Sequence, residues 1–425
     1  MDNNEKKHDF SEEEEKRMRA RSAVRARERE EKQRQAEIKK SKQRRIMHKL
    51  STVIKILLIV IVVISLLFIA AGSLGNVTFS NIIDYVKDGF SNMESGEGYP
   101  LDVGSGSVKD MLMIGETTVL VRNNEVNLLN KTAKETSKYT HSYSKPQTIV
   151  SGGRMLICDR VTGRYMITDR REILKSDELQ SEVFACTVSK NGRYAFSINC
   201  DDGSSMVSAY GSDFDKLIDF KCAEEYIIGL SYSPDGKNIA MIGIGSKDAG
   251  IYSKLYILSI KNQEITASFD FIGESLNNVF YSSNDTIIVV SENAYTIIRD
   301  NTDKEKINFG FNTISRFEAD TNGNFAIVLS KYGSIDSGTV ALLDSKGEEL
   351  FSVELDSKIE CIDYDGSTVC VVDSDNIVRT YNKKGKLLGE TKLDAPAQDI
   401  AVSGKYCYAL CFGTVVQLDI RTQTD

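Results

Sequence analysis

From residue 108 onward, apolar residues come in short runs, and each run is cut off by a turn. The stretch Ile227–Gly243, IIGLSYSPDGKNIAMIG, shows the plan: two apolar segments flank Ser-Pro-Asp-Gly. Pro234 presets the φ wanted at the second position of a type I turn. Asp235 tolerates the third, and Gly236 can take the positive φ that closes a hairpin with a bulge. The pattern predicts a β-hairpin there, not a ligand loop.

Turns in the same phase recur at Gly115, Gly153, Gly192, Gly236, Asp285, Gly323, Gly366 and Gly404. Their spacings are 38, 39, 44, 49, 38, 43 and 38 residues. An apolar strand follows each, as in TTVLVR, RMLICD, TIIVVS and STVCVVD, and a further strand follows that one. A period near forty, with about four short strands per unit, is the signature of a β-propeller. A flat sandwich has no need of eight copies of one unit, and a helical solenoid would require a 3.6-residue period, which is absent. The expected fold class is all-β: an eight-bladed propeller, with seven blades as the alternative. The last unit, from Pro396, has room for three strands only. An open ring would leave two unpaired edges. The missing strand is expected from Tyr99–Val103, YPLDV, just before the first repeat.

Ahead of the repeats the pattern changes. The segment VIKILLIVIVVISLLFIAAG (Val53–Gly72) is apolar on every helical face. Its nineteen residues from Val53 to Ala71 would span roughly 28 Å as a helix, close to a bilayer core. Lys55 sits where it can snorkel to the basic end. The tail before it is too long for a signal-peptide n-region. Beyond it, Phe79, Ile82, Ile83, Val86 and Phe90 recur at helical spacing, and Ser95–Ser107 reads as a linker around one extended piece. The expected organisation is a charged tail (1–50), a transmembrane helix (51–72), a stalk with a short amphipathic helix (73–98) and a propeller (99–425).

Charge supplies an orientation. Residues 1–50 hold 17 Lys and Arg against 11 Asp and Glu, a net of +6; beyond Lys55 there are 35 basic and 50 acidic residues, a net of −15. Arg44, Arg45, Lys49 and Lys55 crowd the N-terminal flank of the span, and the other flank has no Lys or Arg before Lys87. The positive-inside rule then puts the tail in the cytoplasm and the acidic body outside the plasma membrane. The tail reads as a topology anchor, either a solvated helix stitched by Glu–Arg pairs or unstructured chain.

Candidate chemistry is sparse. The body holds one histidine, His141, which excludes a His-based triad or a multi-histidine metal site there. No Gly-x-Ser-x-Gly elbow, phosphate-binding loop or Gly-x-Gly-x-x-Gly occurs. No catalytic, cofactor-binding or metal residue is therefore assigned, and neither an enzyme nor a cofactor is expected. A paired-carboxylate glycosidase stays open on composition, with no pair to choose. NCDDGSS (Asn199–Ser205) and DYDGS (Asp363–Ser367) resemble calcium loops faintly but lack the twelve-residue ligand pattern. The eight cysteines all lie in the body, several inside apolar strands such as LICD and TVCVV; free thiols are expected, with disulfides the alternative that an even count outside a membrane suggests.

The SPDGKNIA turn resembles those of WD40-like and TolB-like propellers. GTVALLDSKGEELFSVEL (Gly338–Leu355) resembles the quinoprotein-type repeat, with Phe351 where that repeat usually has Trp. The chain has no Trp, so the resemblance carries over no quinone cofactor. The body also resembles the propeller lipoprotein of outer-membrane assembly, in fold alone. The whole plan of basic tail, single span and propeller resembles the domain of unknown function 5711 family, membrane-anchored propellers of anaerobic Gram-positive bacteria. The expected function is an extracytoplasmic binding or scaffold module. Its partner would be an envelope protein or glycan, with no nucleic acid and no small-molecule cofactor. The alternatives are a carbohydrate-active enzyme using carboxylates and a transmembrane sensor.

Overall fold

Thirty-two strands form eight four-stranded antiparallel sheets. The computed structural model describes residues 95–104, 108–247, 250–331 and 337–421, together with Lys55. The charged tail, the apolar span apart from Lys55 and the stalk up to residue 94 lie outside them. Among the described residues no helix is long and apolar enough to cross a membrane.

Seven sheets are simple meanders: blade 1 (108–140), blade 2 (146–178), blade 3 (183–222), blade 4 (226–272), blade 5 (276–308), blade 6 (312–355) and blade 7 (359–392). Blade 8 has three strands from residues 397–419, and its fourth is Leu101–Asp102. The ring is therefore eight-bladed, and the N-terminal strand closes it as expected, over a shorter stretch. Only Leu101 and Asp102 pair, with Val415 and Thr414, and the Val103 amide donates to the Gly413 carbonyl at 2.8 Å. Tyr99 lies outside the ladder and packs edge-on against Tyr408.

Position in the blade explains the sequence pattern. Middle strands are covered on both faces by neighbouring blades, so they read as unbroken apolar runs. All six residues of Thr368–Asp373, TVCVVD, are buried. Outer strands face water and are polar, as in Asp303–Asn308, DKEKIN. The buried residues fall into eight clusters, one for each seam between adjacent blades. The seam between blades 8 and 1 joins Val103, Val108 and Leu120 to Ala401, Tyr408 and Val415. Each large side chain buried there contributes about 1.5–3 kcal/mol, so the seams dominate the ring's stability. Without Trp, the largest fully buried side chains include Tyr194, Tyr408, Phe196 and Phe271.

The turns do as the sequence suggests. Gly236 has φ 70° and its amide donates to the Ser233 carbonyl at 2.8 Å. The Arg193 guanidinium of blade 3 donates to the Gly236 carbonyl, so the turn also ties two blades. In the RMLICD hairpin the left-handed residue is Gly152, one position before the expected Gly153. A meander puts the inner-to-second and third-to-outer turns of every blade on one face of the ring. We call this the turn face. The loops between second and third strands lie on the other.

The inner strands share one further device. In seven of the eight, a β-bulge near the start shifts the register, for example between Val108 and Asp110 and between Ala397 and Asp399. Only blade 2 lacks it. A bulge bends the strand and re-aims the side chains after it.

An acid-walled mouth in the central channel

At the turn face the channel widens into a cavity of about 690 Å³. It is lined by the inner strands and turns of blades 1, 2, 6, 7 and 8. Seven carboxylates line it: Asp110, Glu116, Glu318, Asp320, Asp363, Asp365 and Asp399. The lining holds no Lys, Arg or His.

Two inner-strand positions after the bulge build this wall. The first holds Asp110 in blade 1 and Asp399 in blade 8; the second holds Glu318 in blade 6 and Asp363 in blade 7. The same two positions in blades 2 to 5 hold Gln147 and Ile149, Ala185 and Thr187, Gly229 and Ser231, and Asn278 and Phe280, none of them ionisable. Arg316, at the first position of blade 6, turns instead to the Glu360 carbonyl. The channel thus has an acidic arc over four consecutive blades and a neutral arc over the other four. Across the mouth, Lys190 in the blade 3 turn is half-buried. Burial lowers its pKa, and Asp320 in the acidic rim pulls it back up.

The acids are held at different depths of constraint. Asp399 accepts from the Met111 amide of blade 1 and from its neighbour Ile400, each at 2.8 Å. Asp110 and Asp399 face each other closely enough for their titrations to be linked. Burial, then for Asp399 the facing Asp110 charge, pushes both members of the pair above the usual carboxylate range. Asp363 accepts from the Val402 amide of blade 8 at 2.6 Å. Burial raises its pKa to about 6, against the lowering effect of that bond. Glu318 is open to the cavity, with the other acids of the wall around it. Desolvation there, then the charges of Asp363, Asp399 and Asp110, pushes it up to about 8. The arc therefore holds protons at neutral pH that an approaching cation would expel.

Among the described residues, no group of three or more His, Cys, Asp or Glu is placed to hold a metal ion.

The residues singled out in the sequence are mostly elsewhere. His141 stacks on Tyr143 at 4.7 Å, and its Nδ1 accepts from the Tyr143 amide; burial lowers its pKa. In NCDDGSS, Asp202 is taken up by Lys221 and Ser204. DYDGS is split. Asp363 joins the wall, and Asp365 folds back onto its own turn through Ser367 and Thr368 while accepting from the Gly404 amide at 3.0 Å. Phe351, in the quinoprotein-like repeat, packs in the seam between blades 6 and 7. It lies tight against Gly385, where an added Cβ would come within 2.9 Å of the ring. All eight cysteines are free. Sequence reasoning missed Asp110, Glu318 and Asp399 altogether. The available signal was an acid inside an otherwise apolar inner strand, as in DMLMIG and QDIAVSG.

Solved structures share the ring. A computationally designed protein, Ika8, matches with a TM-score of 0.56 at 12% identity, over 75% of this chain and 99% of that one. The C-terminal WD40 domain of Sif2 matches at 0.56 and 10% identity, over 76% and 98%. BamB from Moraxella catarrhalis aligns at 0.47 and 14% identity, over 75% and 99%. At these identities the first two matches show the fold alone. No curated protein matches the chain. The family model for DUF5711, a family of unknown function, matches residues 81–417, and the chain belongs to that family.

Proposed function

We propose that this chain is a membrane-anchored binding module whose propeller lies outside the plasma membrane and takes a basic segment of an envelope partner at the acid-walled mouth. The observation that carries the reading is the lining itself: seven carboxylates from four blades with no cation among them. The apolar span and the +6 tail support the anchoring and the orientation.

A cation bound there would displace protons from Glu318, Asp363 and the Asp110–Asp399 pair, so affinity should rise with pH between about 6 and 8. A tetra-lysine peptide titrated calorimetrically into the full chain in detergent reads this directly. Tighter binding and greater heat at pH 8 than at pH 6 are expected, with a loss of roughly tenfold in Glu318→Gln/Asp363→Ser, about 1.4 kcal/mol for the two charge contacts removed. Equal binding by that variant would remove the mouth as the site. Crosslinking in the native cell then identifies the partner, and a C-terminal reporter active only in the cytoplasm would overturn the orientation.

The carbohydrate-active alternative has one specific support. Glu318 keeps its proton near neutral pH, the state a glycosidic general acid needs. Glycan hydrolysis lost in Glu318→Gln would favour that reading.

A further inference from the structure

Blades 7 and 8 meet across a pair of thiols. Cys370 lies in the second strand of blade 7, Thr368–Asp373, and Cys407 in the second strand of blade 8, Tyr406–Cys411. Both are fully buried, and their sulfurs are 3.1 Å apart. A disulfide is about 2.05 Å long, so roughly 1 Å of approach separates this contact from a bond. No ladder pairs these two strands, so the contact comes from how the blades dock. The surroundings are apolar: Val372, Val378, Ile400, Val402 and Ala409 fill the same seam, and an S–S bond would strand no polar partner there.

We propose that Cys370 and Cys407 form a cross-blade disulfide site which, once oxidised, staples the seam between blades 7 and 8. The oxidant is a low-molecular-weight disulfide. One cysteine thiolate attacks it, forming a mixed disulfide and releasing one thiol. The second cysteine thiolate displaces the remaining half as a second thiol. Two protons and two electrons leave the pair, and one disulfide becomes two thiols. In the closed seam Cys370 resists ionisation: burial, then contact with Cys407, holds its thiol well above the ordinary range. The exchange therefore runs during folding or when the seam opens, and the bond then prevents reopening. The position has a use. Blade 8 is held to the N-terminal chain by a two-residue strand, and the staple fixes its opposite flank.

The test equilibrates the full chain in detergent with graded ratios of oxidised to reduced glutathione, in urea mild enough to keep the fold. Thiols are then trapped by alkylation in denaturant, and unreduced peptides are mapped by mass spectrometry. The linked Cys370–Cys407 peptide should form first and dominate over every other pairing. The oxidised protein should melt several degrees higher, a shift lost in Cys407→Ala and, should that variant fold poorly, in Cys370→Ser. Recovery of both cysteines alkylated at the most oxidising ratio, or preferential linkage of either to another cysteine, would overturn the proposal.

Discussion

Asp363 and Ser231 occupy the same position in blades 7 and 4, and they do the same structural work. Asp363 accepts the Val402 amide of blade 8 at 2.6 Å; Ser231 accepts the Tyr281 amide of blade 5 at 3.1 Å. A neutral hydroxyl therefore suffices to latch one inner strand to the next. The carboxylate adds a buried charge that the latch does not require. The same holds along the arc: blades 3 to 5 form bulged inner strands like those of the acidic arc without an ionisable side chain at these two positions. Stability alone does not explain the acids. Crowding carboxylates in an enclosed wall raises their pKa values and costs folding free energy once they ionise. A local rule broken over four consecutive blades is the mark of a site.

The comparison can be broken first at the acidic arc's weakest joint. Deleting residues 97–104 removes the strand that completes blade 8, and with it Val103 from the closing seam. The expected loss is roughly 3–5 kcal/mol from lost burial and ladder bonds. Deleting residues 12–30 should leave the propeller's melting temperature unchanged. Equal melts for the two truncations would show that the ring closes without this strand.

A smaller effect should come from moving the charge. Ser231→Asp installs an acid in the neutral arc while keeping an acceptor for Tyr281. It should destabilise by about 1–2 kcal/mol at pH 8 and by much less at pH 4, where the new acid is protonated. Denaturant melts at both pH values check this. A loss of the same size at both would mean that shape, not charge, distinguishes the arcs.

The smallest change should be a gain. Glu318 and Asp363 have folded pKa values of about 8 and about 6, above their ordinary values. Such acids bind protons more tightly in the folded state. Their contribution is complete below the unfolded pKa near 4 and is lost as pH rises through the folded values. Glu318→Gln should therefore melt higher than the parent at pH 8.5 and close to it at pH 4, which flattens the pH profile. A profile with unchanged slope would show that Glu318 does not hold its proton.

Much of this ring was legible in the chain, because its units are local. Each turn, such as Ser233–Gly236, is set by residues in contact along the sequence, and each middle strand announces its two-sided burial as an apolar run. Ring closure was legible for a negative reason: three strands leave an edge. The acid mouth was not. Asp110 and Asp399 meet only because the ring closes, and Glu318 reaches them across intervening blades. The bulge compounds this, because it shifts which inner-strand side chains face the channel and leaves no mark in composition. In DYDGS the two aspartates look alike, yet Asp363 latches blade 7 to the Val402 amide while Asp365, at the rim, is also tied into its own turn.

The entry of the chain into the ring has a consequence for how a partner would be met. The amides of Gly96 and Gly98 donate to Thr132, in the third-to-outer turn of blade 1, and that turn lies on the same face as the acid mouth. The described chain thus begins, at residue 95, on the mouth's own side, like a leash fixed at the rim of a cup. If the chain is anchored as proposed, a partner held to the same surface would meet the mouth at a local concentration set by the length of the tether, not by its abundance in solution. Weak contacts of a few charges each would then suffice for lasting attachment, and lengthening the leash would loosen it without touching a single residue of the wall.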